Sequence, residues 1–152
     1  MLSLLALSLV NSAFATDARM YPGASCKAQY STSSTSLSYS QQYNTSTSAL
    51  TIDCPVMVDT SKAVSDSYLY VIDNNSSASV TCSLIHFLVT SSSYYWTGNF
   101  STSSSGASAS PQLLTTGALS ATTSPAYDYF SCSLPASGAG NSAIASYYVL
   151  GA

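Results

Sequence analysis

Catalysis needs groups that hold charge or move protons, and this 152-residue chain has few of them. Its acidic residues are six aspartates, its basic residues are Arg19, Lys27 and Lys62, and His86 is its one histidine. A serine hydrolase would use His86 as base, an aspartate to orient it and an activated serine to attack. Serine is so abundant here that finding one near His86 carries no information, and the Gly-x-Ser-x-Gly elbow that presents a strained nucleophile is missing. His86 stands between Ile85 and Phe87, the setting of a packed or hydrogen-bonded strand histidine. Glycoside hydrolysis would need two facing carboxylates. Asp53, Asp59, Asp66 and Asp73 fall instead at strand ends and turns, where aspartate bonds its own main chain. No catalytic residue is predicted, and the chain reads as a non-enzyme.

Metal chemistry has as little to work with. Asp73-Asn74-Asn75 offers oxygens to calcium but lacks the glycine and closing glutamate of an EF-hand loop. Calcium at Asp73 and Asn75 stays an open alternative, and no metal or cofactor is assigned. Cys26, Cys54, Cys82 and Cys132 lack the Cys-x-x-Cys spacing of zinc sites. The binding candidate is Tyr94-Tyr95-Trp96. On a strand Tyr94 and Trp96 share a side while Tyr95 faces the other. An exposed Tyr94/Trp96 pair would stack on a sugar or anchor an interface; the plainer alternative, and the preferred one, is that Trp96 fills the core.

Composition narrows the partners. Charged residues are 6% of the chain, against about 25% in ordinary globular domains. Three basic residues and a net charge of −3 cannot neutralise a phosphate backbone, which excludes nucleic acid. They cannot form a polybasic membrane-surface site either. With 46% hydrophobic residues the chain can build a core, so disorder is not expected. Solubility must come from serine and threonine, roughly a third of the chain. A surface so weakly charged associates easily, which points to assembly or surface attachment.

The elements that would carry these residues read as strands. Met1 to Ala15 is a secretory signal without a basic start: an apolar run from Leu2 to Val10, then the small-x-small site Ala13-Phe14-Ala15. That run is too short to span a bilayer, and no later segment resembles a span. Residues 16–152 form one domain, secreted to the extracellular space or the periplasm. An even cysteine count in an exported chain predicts two disulfides. Three pairings are open, and the matched runs Val-Thr-Cys-Ser-Leu and Phe-Ser-Cys-Ser-Leu favour Cys26–Cys54 with Cys82–Cys132. Tyr68–Val89 reads as a β-hairpin turning at Asp73-Asn74-Asn75-Ser76. Ser101–Pro111 reads as a flexible connection, Tyr127–Leu134 as a strong strand, and Ala143–Leu150 as a closing strand. About eight short strands without a helix indicate an all-β antiparallel sandwich, jelly-roll or immunoglobulin-like.

Cys54-Pro55, Thr-Cys-Ser-Leu at Cys82, Ser-Cys-Ser-Leu-Pro at Cys132 and a terminal Ser-Tyr-Tyr-Val together resemble small exported, disulfide-containing β-sandwich proteins of bacteria. The resemblance covers nearly all the mature chain and implies fold and export, with no activity and no functional residue to transfer. The function expected is structural or adhesive, with self-assembly through the edge of the closing strand as in strand donation. The alternative is a carbohydrate-binding module using surface aromatics, with surface glycans as partners. Four Asn-x-Ser/Thr sequons, at Asn44, Asn74, Asn75 and Asn99, would matter only in a eukaryotic source.

Overall fold

A strand with one face on a core must alternate, and residues 126–134 do. Asp128, Phe130, Cys132 and Leu134 are buried, while Tyr127 and Ser133 are exposed. Repeated along the chain, that pattern gives two antiparallel sheets in a computed structural model that describes residues 17–30, 35–57, 63–89, 94–121, 126–138 and 140–151. Residues 1–15, read above as a secretory signal, lie outside the described residues. Eleven strands form among them. They are β1 (Asp17–Pro22), β2 (Lys27–Ala28), β3 (Thr35–Ser38), β4 (Gln41–Asn44), β5 (Leu50–Val56) and β6 (Val64–Asp73). Then follow β7 (Thr81–Val89), β8 (Tyr94–Ser103), β9 (Ser108–Thr115), β10 (Ala126–Leu134) and β11 (Ala143–Gly151).

Sheet A has the order β3-β4-β11-β6-β9, with β1 also on β11; sheet B has the order β2-β5-β10-β7-β8. Strands β4 to β11 therefore make two four-stranded sheets, β4-β11-β6-β9 against β5-β10-β7-β8. That order is a jelly roll. Strands β1, β2 and β3 are short additions, which is why eleven form where about eight are expected.

Two expectations fail for one reason. Strands β6 and β7 are not a hairpin: β6 pairs with β11 and β9, and β7 with β10 and β8, in opposite sheets. The turn-forming residues are real, but they turn a corner. Asp73 is fully buried; its Oδ1 accepts from the Asn75 amide at 3.0 Å and the Ser142 hydroxyl at 3.3 Å. Its Oδ2 accepts from the Val80 amide at 3.2 Å and the Ser104 hydroxyl at 2.5 Å. Ser104 begins the second crossover, from β8 to β9, so a single carboxylate ties two inter-sheet links together. The supposed flexible run Ser101–Pro111 thus contains the end of β8, this crossover and the start of β9. Gln112 fixes it further by accepting from Ser105 N at 2.8 Å and donating to Gly106 O at 2.8 Å. Among the described residues, the two-residue hairpin with both central residues at positive φ is β3–β4, through Tyr39 (+48°) and Ser40 (+65°), a type I′ loop lacking the usual Asn-Gly.

The closing strand does not offer a free edge. β6 covers one side of β11, and β4 and β1 together cover the other, from Ala143 to Gly151. Strand donation by β11 is therefore ruled out. Its bulge at Ala145 is capped by Gly23, where an added Cβ would lie 1.9 Å from the Ile144 carbonyl oxygen, so only glycine fits.

Between the sheets, Ile52, Leu69, Val71, Leu84, Phe130, Leu134, Ile144 and Val149 are fully buried, each worth about 1.5–3 kcal/mol of transfer free energy. Tyr147 crosses that core from β11, packs edge-on to Phe130 at 5.6 Å and donates its hydroxyl to the Pro55 carbonyl at 2.7 Å. Burial, with Tyr21 stacked at 4.9 Å, pushes its phenol up to about 12. Both disulfides, Cys26–Cys54 and Cys82–Cys132, lie within sheet B and join neighbouring strands. Loops of 28 and 50 residues give about 3.5 to 4 kcal/mol each by chain entropy.

Candidate functional site

Of the two faces of sheet B, the inner one is core and the outer one is graded. Register aligns Thr81 with Ser133 and Ser83 with Ser131 at one end. Ile85 then aligns with Tyr129, and Phe87 with Tyr127, at the other. Hydroxyls give way to rings. Phe87 and Tyr127 lie 4.9 Å apart, Tyr127 and Tyr129 5.9 Å apart with 32° between planes, and Tyr127 is 50% exposed.

The aromatic end opens into a cleft of about 660 Å³. Tyr127 and Tyr129 of β10 form one wall, Pro55 and Met57 of the β5 end another, and Ser25, Lys27, Gln29 and Asp53 supply hydrogen-bonding groups. Strand pairing explains the convergence: Tyr129 is opposite Pro55, and Asp53 is opposite Lys27 on its other side. β2 covers only Asp53 and Ile52 of β5, so the edge at Pro55 is open, where a proline is tolerated. From behind, the Pro55–Met57 wall is held by sheet A. Tyr147 bonds Pro55 O, Tyr21 Oη both donates to Met57 O and accepts from Met57 N at 3.1 Å, and Arg19 donates to Met57 O at 2.8 Å. A mainly apolar concavity with a few convergent polar groups is the ordinary form of a small-ligand site.

Electrostatics within the cleft are local. Burial raises the Asp53 carboxyl above its usual range, partly offset by the Ser131 hydroxyl donating at 2.8 Å. Burial and then the Asp53 charge push the Tyr129 phenol up. An aspartate at a cleft wall accepts ligand hydroxyls well.

Beneath the cleft, His86 and Asp128 face each other across β7 and β10, both buried, with Nδ1 and Oδ1 2.5 Å apart. That is the orienting half of a hydrolase triad. The other half is missing among the described residues: His86 Nε2 is sealed from solvent and has no hydrogen-bond partner. The pair ties two strands.

Tyr94 and Trp96 lie in β8, in register with Val89 and Phe87; their side chains lie outside the described residues. Asp73 and Asn75 do not form a calcium site. Their side-chain oxygens face N–H and O–H donors, Asn75 Oδ1 accepting from Ser77 and Ala78 at 2.8 and 2.9 Å. Among the described residues no group of three His, Cys, Asp or Glu is placed to hold a metal. The sequons are largely spent on structure. Asn44 is fully buried with Nδ2 donating to the Ser48, Leu134 and Pro135 carbonyls, and the Asn74 and Asn75 amides donate to Asn141 O and Ala136 O.

The cleft residues Tyr127, Tyr129, Asp53, Lys27 and Pro55 were not singled out by sequence reasoning as a site. The alternation of Tyr127 and Tyr129 against Phe130 and Cys132 is the signal that marks them, since two tyrosines on the solvent face of a central strand must stand in water.

No protein-family model matches the chain, and no curated protein matches it by sequence. Solved structures do match in fold. A low-affinity xylan-binding module, CBM86, from Roseburia intestinalis has a TM-score of 0.51 at 9% identity, over 89% of this chain and 96% of that one. A family two carbohydrate esterase from Cellvibrio japonicus has a TM-score of 0.50 at 7% identity, over 90% of this chain. The chain spans only 34% of the esterase's length. Among the described residues no helix is long and apolar enough to cross a membrane. The chain is thus a disulfide-containing all-β protein similar in fold to modules found in carbohydrate-active proteins.

Proposed function

We propose that this chain is an exported, non-catalytic glycan-binding protein that takes a neutral polysaccharide in the cleft on sheet B. The observation that carries this reading is the meeting of the Tyr127–Tyr129 ring pair with Gln29, Lys27 and Asp53 in one concavity. Tyrosine rings present an apolar face to the C–H side of a sugar and a hydroxyl to its rim, while amide, ammonium and carboxylate groups take its hydroxyls. Lys27 and Asp53 stand opposite one another, so their charges offset, and the cleft's other carboxylate, Asp128, is buried against His86 Nδ1. That balance suits an uncharged ligand. Oxidised cysteines support an exported protein, with residues 1–15 as its leader. The fold likeness to a xylan-binding module makes xylan the first ligand to try.

Affinity electrophoresis through gels holding soluble xylan, mixed-linkage β-glucan or glucomannan tests the reading. Retardation is expected in at least one gel, and Tyr129→Ala should raise Kd about tenfold there, as for a ring at the centre of a contact. Migration unchanged in every gel would overturn it. Trp96 is the backbone register partner of Phe87 and the stacking candidate of the sequence, so Trp96→Ala should weaken binding as well. Unchanged binding would confine the site to the two tyrosines.

A further inference from the structure

The opposite side of the molecule repeats the ring geometry of the cleft. On the outer face of sheet A, Tyr68 of β6 and Tyr148 of β11 are direct cross-strand partners. Their centroids lie 5.9 Å apart with 31° between planes. The Tyr127–Tyr129 pair has 5.9 Å and 32°. The two pairs reach this shape by different routes, one along a strand and one across two strands. Around Tyr68 and Tyr148, Tyr70 (37% exposed) and Met20 (67% exposed) complete a depression of about 290 Å³. The charge of the nearby Asp66 carboxylate pushes the Tyr68 phenol up.

The lining says what fits. The four lining side chains carry no formal charge, and the Asp66 carboxylate beside Tyr68 can accept a sugar hydroxyl. The depression has under half the volume of the cleft, so it suits a ring-sized group and not a length of peptide. We infer that the outer face of sheet A is a second site for the same neutral polysaccharide, taking one sugar ring over Tyr68 and Tyr148. This inference rests on the glycan-binding reading of the cleft. The two faces point away from each other across a sandwich whose sheets pack about 10 Å apart, so one straight chain cannot occupy both. Two sites engage two chains, and the protein bridges them. An adhesive role follows without any contact between copies of the protein.

The probes are soluble xylan and mixed-linkage β-glucan, mixed with wild type, Tyr127→Ala/Tyr129→Ala or Tyr68→Ala/Tyr148→Ala. Gel retardation reads binding, light scattering reads bridging, and sedimentation velocity reads the oligomeric state. Wild type should be a monomer that binds and bridges. Each double variant should still be retarded, several-fold less, and should raise no scattering. Full binding and bridging by Tyr68→Ala/Tyr148→Ala would overturn the second site and leave the first. Loss of all binding in that variant, with Tyr127→Ala/Tyr129→Ala unaffected, would keep the sheet A site and remove the cleft reading. A wild-type dimer that becomes monomeric on Tyr68→Ala/Tyr148→Ala would assign the face to a second copy and overturn the inference. A wild type that binds neither polysaccharide would sink both. Should Tyr68→Ala/Tyr148→Ala misfold, the exposed change Tyr70→Ala is expected to lower bridging by itself, and no change there would count against the site.

Discussion

Sheets A and B solve the same problem with different chemistry. Sheet B is cross-linked within its own plane: Cys26–Cys54 joins the start of β2 to β5, and Cys82–Cys132 joins β7 to β10. Among the described residues sheet A has no disulfide and relies on buried polar ties. Ser67 bonds the Thr116 hydroxyl and Gly117 O, Asn44 reaches the end of β10, and Asp73 ties the β6–β7 and β8–β9 crossovers together. A chain with 6% charged residues has few ion pairs to spend, so hydroxyls and amides carry the specificity that salt bridges carry elsewhere. The larger cleft lies on the covalently braced sheet, so under the glycan-binding proposal its strands are fixed before a ligand arrives. Preorganisation of this kind lowers the entropy lost on binding.

Reducing both disulfides should have the largest effect, about 7 kcal/mol by chain entropy, comparable to the whole stability of a domain. Reduced protein is expected to lose near-ultraviolet circular dichroism at 25 °C, and a reduced form with native dichroism would show that sheet B stands without its staples. Asp73→Ala comes next. It strands the Ser104 and Ser142 hydroxyls and the half-buried Asn75 amide and leaves the Val80 amide with Ser104 Oγ alone, and urea titration should show a loss of about 3 kcal/mol or more. A loss under 1 kcal/mol would mean the crossovers are held some other way. In the opposite direction, Tyr39→Asn with Ser40→Gly should stabilise the edge hairpin of sheet A by about 1–2 kcal/mol, since both residues sit at positive φ. An unchanged urea midpoint would contradict that.

The smallest effect is on pH dependence. Because the Asp53 carboxyl is raised in the fold, the native state binds that proton more tightly than the unfolded chain. Its contribution to stability is full below the ordinary value of 3.8 and declines as pH rises through the folded-state value. Asp53→Asn removes the decline, so the stability of the variant relative to wild type should grow between pH 3 and pH 7. A difference independent of pH would place Asp53 in ordinary solvent.

How much of this was legible beforehand depends on whether a signal is local. The alternation in β10 and β7 is local, and so is the likeness of the runs around Cys82 and Cys132, which lie directly opposite one another in the sheet. The partner of β6 is not local. Asp73-Asn74-Asn75 announces a turn, but whether the chain returns in the same sheet depends on Ser104 and Ser142, 31 and 69 residues away. β9 was hidden because its first half, Ser108-Ala109-Ser110-Pro111, has low strand propensity; only Ser108 of it pairs with β6, and the regular ladder runs from Gln112 to Thr115. The Tyr39-Ser40 loop carries no glycine or asparagine to betray a type I′ turn. The cleft joins β2, β5 and β10 from three distant stretches, so its members are ordinary in isolation.

The central claim is that the Tyr127–Tyr129 cleft holds a sugar chain. Titrating ¹⁵N-labelled protein with a xylan or β-glucan hexasaccharide, and following amide shifts, tests it most directly. Shifts should concentrate at residues 27–29, 53–57 and 127–129. Saturating sugar that leaves those amides unmoved would contradict the account.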